Sequence, residues 1–410
     1  MSVGAFRAAL RLKGQSTIIL IGLGHGGVHW VFAVFYILQP YLKRDLGISY
    51  TELGVLHAIF HFGSFVANFG SGFLVDYTGR RVLLQAVSVA IGAAALAAFG
   101  VTTAYLLLCA MLILIGAANN LWHPAALSFL SEQFPANRGY ALSMHSFGAS
   151  LGDMLAPLVA GALLTAFTWQ GAAALSALPV FAIAVLLFLI LSPRETHTGR
   201  AVARESMSLR QYVHGIRVLM SDKAILGLSL MAGFRTMALF GLLMFLPLYM
   251  ADVLGLEAIY LGVAMAVLQI GGFVAGPVAG IWSDQIGRRP IVIGGLFTTT
   301  LVILGLTLIS NGAVYVVGVA VLGFGLYAIR PVVQSWMMDL TPAEFSGTAA
   351  SVMFGVQALM TTLLPLIGGF IADRFGLAAV FYLIAALMLC ANLMAVLLPG
   401  GGSHARPAAP

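Results

Sequence analysis

Gly72-Phe73-Leu74-Val75-Asp76-Tyr77-Thr78-Gly79-Arg80-Arg81 returns 208 residues later as Gly280-Ile281-Trp282-Ser283-Asp284-Gln285-Ile286-Gly287-Arg288-Arg289. One short charged loop is written twice, each time between two long apolar stretches. A sequence that repeats at half its own length implies two homologous membrane halves. The repeat extends outward from the loop. Trp122-His123-Pro124 answers Ile329-Arg330-Pro331 at an offset of 207, and Ser143, Pro157 and Gly161 answer Ser351, Pro365 and Gly369 at 208. Proline inside a span frees a backbone carbonyl, which is tolerable where neighbouring protein or a water-filled cavity satisfies it. The kinked helices are therefore expected to line a cavity or flex.

Composition sets the class. With 60% hydrophobic and 8% charged residues and a mean hydropathy of +1.01, the 410-residue chain cannot cover a soluble globule with polar surface. Its length supplies twelve spans, expected near 17–41, 51–75, 82–101, 104–130, 139–166 and 169–192, then 222–250, 257–281, 291–310, 313–338, 346–371 and 376–398. The expected plan is an all-α membrane protein of two pseudo-symmetric six-helix halves around a central cavity. The N-terminal half is 1–192, a cytoplasmic linker 193–221, the C-terminal half 222–399 and a disordered tail 400–410. The lead-in with Arg7, Arg11 and Lys13 runs into a stretch too long and too uncleavable for a signal peptide. Cys109 and Cys390 both lie in apolar stretches and suggest neither a disulfide framework nor a thiolate metal site.

Placing both termini in the cytoplasm puts fifteen Lys/Arg on that side and three, Lys43, Arg44 and Arg374, outside. That asymmetry orients the chain in a bacterial inner membrane. The net charge of +6 is then a topology signal, since the basic residues are spread over loops without interleaved base-stacking aromatics, and nucleic acid is not an expected partner.

The Gly-x-Leu-x-Asp-x-x-Gly-Arg-Arg loop between spans 2 and 3, echoed between spans 8 and 9, resembles the signature loop of the major facilitator superfamily, and the resemblance covers residues 17–399. Three further pieces are similar to fosmidomycin-resistance-type exporters: Gly24-His25 with the Tyr41-Leu42 to Leu46-Gly47 hairpin, Asn120-Leu121-Trp122-His123-Pro124, and Ser146-Phe147-Gly148-Ala149-Ser150-Leu151-Gly152. Where that resemblance leads one to expect an acidic residue in span 1, this chain has Gly26-Gly27-Val28-His29. By resemblance, spans 1, 4, 7 and 10 line the cavity, and Asp76 closes a cytoplasmic gate against the start of span 11, between Ser346 and Ser351. The gate set is Asp76, Gly79, Arg80, Arg81, Asp284, Gly287, Arg288 and Arg289; a plainer role for the four arginines is anchoring at the anionic leaflet.

Ionisable groups at bilayer depth cost ~2.5 kcal/mol or more and normally face the protein interior. His25 and His29 lie one turn apart in span 1, His57 and His61 in span 2, His123 in span 4, His145 and Asp153 in span 5, Arg235 in span 7 and Arg330 in span 10. Asp153 is the one mid-span carboxylate, so two arginines share one acid and the cavity is expected to be positive, favouring an anion. Alternatives are an Arg235–Asp153 pair and an Arg330–Asp339 pair. The expected substrate set is Arg235, Arg330, His123, His29, Gln269 and Gln334, and the expected proton-coupling set is Asp153, His25 and His61. His25, His29, His57 and His61, four apart on spans 1 and 2, also have metal-chelating spacing, but such histidines more often make interhelical hydrogen bonds or titrate in a proton path, and the arginines oppose a divalent cation. No metal and no cofactor is expected.

No Walker loop or HExxH motif appears in the sequence, so an enzyme is not expected. The reading is a proton-coupled secondary transporter, a monomer in the lipid bilayer, exporting a small organic anion or drug-like compound. The alternatives are uptake of a carboxylate or phosphorus-containing nutrient and, further off, transport of a divalent metal or its chelate.

Overall fold

The computed structural model describes residues 14–194, 217, 219–341 and 346–398. Twelve long helices fill them: α1 (Gln15–Leu46), α2 (Tyr50–Thr78), α3 (Arg81–Phe99), α4 (Tyr105–Gln133), α5 (Arg138–Leu163), α6 (Trp169–Leu191), α7 (Lys223–Asp252), α8 (Ala258–Ile286), α9 (Arg288–Leu306), α10 (Gly312–Leu340), α11 (Ser346–Phe375) and α12 (Leu377–Leu397). Among the described residues, eleven of them, all but α2, carry a stretch long and apolar enough to cross a membrane. Large apolar side chains such as Leu106, Leu178, Val185, Leu189 and Phe370 stand exposed along them, as lipid-facing residues do. The linker and both chain ends lie largely outside the described residues.

Local chemistry sets the boundaries. Gly47 adopts φ 63° and its N–H caps α1 at Lys43, two residues before Ser49 opens α2 with a reciprocal capping box to Glu52. Thr168 caps α6 through the Gly171 N–H and Asn311 caps α10 through the Val314 N–H. The repeated loops close α2 at Gly79, φ 63°, and open α9 at Gly287, φ 96°, two backbone conformations that glycine adopts without strain.

The chain resolves into two compact units: Met1–Arg204 with Met250–Ala266, and Glu205–Tyr249 with Val267–Pro410. The α7–α8 corner joins the first unit for visible reasons. Asp252 accepts from the Tyr50 hydroxyl at 2.8 Å and lies 3.8 Å from Lys43 and 3.6 Å from Arg44. Gly161 of α5 and Gly262 of α8 pack so closely that a Cβ on Gly161 would stand 3.2 Å from the Gly262 Cα. Within this unit α1 pairs chiefly with α5, α2 with α4 and α3 with α6. In the second unit α9 packs against α10 and α12.

Candidate functional site

Polar groups gather at one place in each unit. In the first, Gly22 and Gly26 of α1 face Gly148 and Gly152 of α5, the small-residue spacing that lets helix backbones touch. A Cβ on Gly26 would stand 2.8 Å from the Gly148 carbonyl oxygen. This approach seats α1's histidines directly on α5. His25 Nδ1 lies 2.8 Å from the His145 carbonyl oxygen, and its ring stacks on His145 at 3.8 Å between centroids. One turn on, His29 Nδ1 lies 3.0 Å from Asp153 Oδ2. From α4, His123 stands edge-on to His25 at 5.1 Å and holds the Asn119 carbonyl through Nδ1 at 2.8 Å, while Trp122 donates from Nε1 to His145 Nε2 at 3.0 Å. His25 and His145 are buried; the His29 and Asp153 side chains keep 31% and 29% of their surface exposed, so the cluster is open on one side.

The pair on α2 does not join them. His57 is fully enclosed, with Nε2 2.8 Å from Gln39 Oε1, and His61 packs edge-on to Phe60; both sit beside Phe32, further along α1. The histidines that come within 4.8 Å of one another are instead His25 and His29 of α1 and His123 of α4. Asp153 pairs with His29.

In the second unit Arg235 of α7 is buried and donates to the Leu326 carbonyl of α10, with its Nε left without a hydrogen-bond partner. Arg330, Val333 and Gln334 of α10, Thr236 of α7, and Met353 and Gln357 of α11 line the same cleft. Thr236 donates to Gln357 Oε1 at 2.8 Å. Two guanidinium groups thus share a cleft that no described carboxylate lines. Arg330 and Asp339, the alternative pair, form no ion pair among the described residues, and Asp339 is bound by Arg288 at 3.1 Å. Gln334 belongs to the cleft, and Gln269, half-buried on α8, does not line it.

The loop residues make defined bonds. Arg81 pairs with Glu132, and Arg288 with Asp284, Asp339 and the Ser283 hydroxyl. Arg289 caps the end of α12 at the Ala395 and Val396 carbonyls. Arg80 is exposed, its N–H 3.4 Å from the Thr78 hydroxyl. The side chains of Asp76, Ser346 and Ser351 lie outside the described residues, and so does the expected gate contact. Sequence reading missed Thr236, Glu132 and Asp252 as partners; the acids at 132 and 339, set at the same 207 offset as the kinked prolines, were the available signal.

The profile of the Major Facilitator Superfamily matches residues 21–363 and 260–409. The chain belongs to the major facilitator superfamily. Its members are membrane transporters, so this major facilitator is a multi-pass transporter of small molecules and not an enzyme. Over 381 residues it is 24% identical to the hexuronate transporter of Bacillus subtilis (strain 168), covering 88% of each chain. It is 26% identical over 396 residues to the multidrug resistance protein MdtG of Enterobacter lignolyticus (strain SCF1), covering 93% of this chain and 91% of that one. The fold matches a bacterial homologue of the human lysosomal transporter Spinster with a TM-score of 0.76 at 16% identity, over 94% of this chain and 97% of that one. It also matches the nucleoside transporter NupG with a TM-score of 0.80 at 12% identity, over 93% and 99%.

Proposed function

We propose that this major facilitator is a proton-coupled secondary transporter, a monomer in a bacterial inner membrane with both termini cytoplasmic, that exports a small organic anion or drug-like compound by alternating access. The observation that carries the reading is the Arg235–Arg330 cleft. Two guanidinium groups that cannot shed their protons share it with the amides of Gln334 and Gln357 and with no described carboxylate. A carboxylate or phosphorus oxyanion supplies the missing counter-charge and an acceptor for the unpartnered Arg235 Nε.

Export is supported by the multidrug relative and by the three sequence pieces similar to fosmidomycin-resistance-type exporters. Uptake of an organic-anion nutrient is the second reading, favoured by the hexuronate relative, because a hexuronate is a carboxylate. The fifteen-to-three distribution of Lys/Arg supports the orientation. The test is transport of a labelled anion and its uncharged ester into inside-out and right-side-out vesicles, with and without a pH gradient. Anion accumulation that follows the gradient in inside-out vesicles is the expected result. Equal handling of anion and ester, or indifference to the gradient, overturns it.

A further inference from the structure

Three imidazoles of the first unit share one tautomeric constraint. His25 Nδ1 faces the His145 carbonyl at 2.8 Å, His29 Nδ1 faces the Asp153 carboxylate at 3.0 Å, and His123 Nδ1 faces the Asn119 carbonyl at 2.8 Å. A carbonyl or an ionised carboxylate accepts and cannot donate, so in each neutral ring the proton sits on Nδ1 and the lone pair on Nε2. The three rings come together: His25 lies 4.8 Å from His29 and 5.1 Å from His123 between centroids, and one ligating nitrogen of each lies within 4.8 Å of the other two.

A second observation is independent of that convergence. His25 is only 6% exposed, and its Nε2 has no hydrogen-bond partner. A buried lone pair without a donor is a cost that an electrophile removes. The charged side chain bonded to the trio is Asp153, an anion, and it stands behind His29 in the carboxylate–imidazole arrangement that orients metal-bound histidines. His145 stays outside the ligand set, because its Nε2 already accepts from Trp122.

We propose that His25, His29 and His123 hold one borderline transition-metal ion through their Nε2 atoms, Zn²⁺ being the best match, with Asp153 positioning His29. Nitrogen ligands suit Zn²⁺, Co²⁺ or Ni²⁺ rather than the oxygen-seeking Mg²⁺ and Ca²⁺. Zn–N bonds of about 2.0–2.1 Å need ligand nitrogens roughly 3.4 Å apart, closer than the spacing of up to 4.8 Å seen here, so the ion would draw the three rings together. The exposed flank of His29 and Asp153 leaves a fourth position for water or an external ligand. The site goes beyond the anion reading and does not depend on it, since every residue belongs to α1, α4 or α5.

The experiment is calorimetric titration of ZnCl₂ into the full-length protein, purified in detergent without a histidine tag, with the visible spectrum of the Co²⁺-loaded protein as a coordination signature. One saturable ion per chain is expected. His25→Gln and His123→Gln should each weaken binding on the order of 100-fold, and Asp153→Asn by ~10–100-fold, because it removes an orienting partner and not a ligand. His57→Gln and Arg235→Gln should bind as the wild type does, which separates this outcome from any failure of the anion reading. Absence of saturable Zn²⁺ binding to the wild type overturns the proposal. So does undiminished binding in His25→Gln and His123→Gln variants that elute monodisperse and melt as the wild type does. Asp153→Asn, at a partly exposed position, gives a graded readout even if a ligand variant fails to fold.

Discussion

Arg81 at the start of α3 is paired with Glu132 at the end of α4, and Arg288 at the start of α9 is paired with Asp339 at the end of α10, each pair spanning 51 residues. The two pairs superpose at an offset of 207 (81 to 288, 132 to 339), although the glycines before them, Gly79 and Gly287, are offset by 208. The difference is one residue. Arg80 stands between Gly79 and the first residue of α3, whereas Gly287 directly precedes α9. The partner of Arg288 in the repeat is therefore Arg81, and Arg80 is the inserted residue.

This relation predicts unequal consequences within the loop. Partly exposed ion pairs contribute ~0–1 kcal/mol, so their loss leaves folding intact and any change in turnover reports on the balance of access states. Arg81→Gln and Arg288→Gln should each slow transport about tenfold or more, and Arg80→Gln less than about twofold. Exchanging the charges in Arg81→Glu with Glu132→Arg should recover much of the loss. Equal defects in all three single variants, measured as initial rates at matched expression, would show that the pairing has no role.

The glycine contacts between α1 and α5 predict a stability effect of a different size. At Gly152 an added Cβ meets the Gly26 backbone, which cannot move as a flexible side chain does, whereas at Gly280 it meets nothing within 4 Å. Gly152→Ala should destabilise by ~1–3 kcal/mol and lower the melting temperature in detergent, and Gly280→Ala should leave it unchanged. An unshifted melting curve for Gly152→Ala would mean that α1 and α5 separate without cost.

How much of this was visible in the sequence depends on the distance over which each relation acts. The twelve helices were legible because hydropathy, capping residues and the repeated loop are local, and the observed boundaries of α3 and α4 fall within a few residues of 82–101 and 104–130. Arg235 and Arg330 stood out because a guanidinium in an apolar run has no local explanation. The interhelical hydrogen bonds expected of His25 and His57 are present, to His145 and Gln39, but the grouping of histidines was not legible, since four-residue spacing gives only a shared face within each helix. What set α5 against the α1 histidines was the backbone contact of Gly22 and Gly26 with Gly148 and Gly152, a long-range match that spacing within one helix does not encode. The α7–α8 corner was illegible for the same reason, because Asp252 finds Tyr50 202 residues away.

That corner carries its own prediction. Asp252 is held by one hydroxyl and faced by two cations, and its side chain is 18% exposed, so the cluster is worth more than an exposed pair and less than a buried one. Asp252→Ala should loosen residues 250–258 by ~1 kcal/mol, a factor of ~5 in local opening, read as faster amide hydrogen exchange there without a change in α3 or α6. Tyr50→Phe, which removes one bond and no charge, should give a smaller effect in the same peptides. Unchanged exchange in Asp252→Ala would mean that the Gly161–Gly262 contact alone holds the corner.

The cleft of the second unit predicts how substrate charge is read. Arg235 donates to the Leu326 carbonyl and lines the cleft, so on the proposed reading its planar fork both anchors α7 to α10 and offers donors to an anion. A charge-assisted bond of this kind is worth ~1.5–3 kcal/mol, and lysine restores the charge but not the fork. Arg235→Lys should therefore weaken anion binding by roughly 10–100-fold, and Arg235→Gln should weaken it further while leaving the binding of an uncharged ester nearly unchanged. Arg330→Gln should repeat the discrimination with a smaller cost to folding, because Arg330 is exposed whereas Arg235 is buried. Calorimetric or tryptophan-quenching titrations of anion and ester on the three variants decide the matter. If both ligands lose affinity in parallel, the arginines hold the helices together and do not read charge.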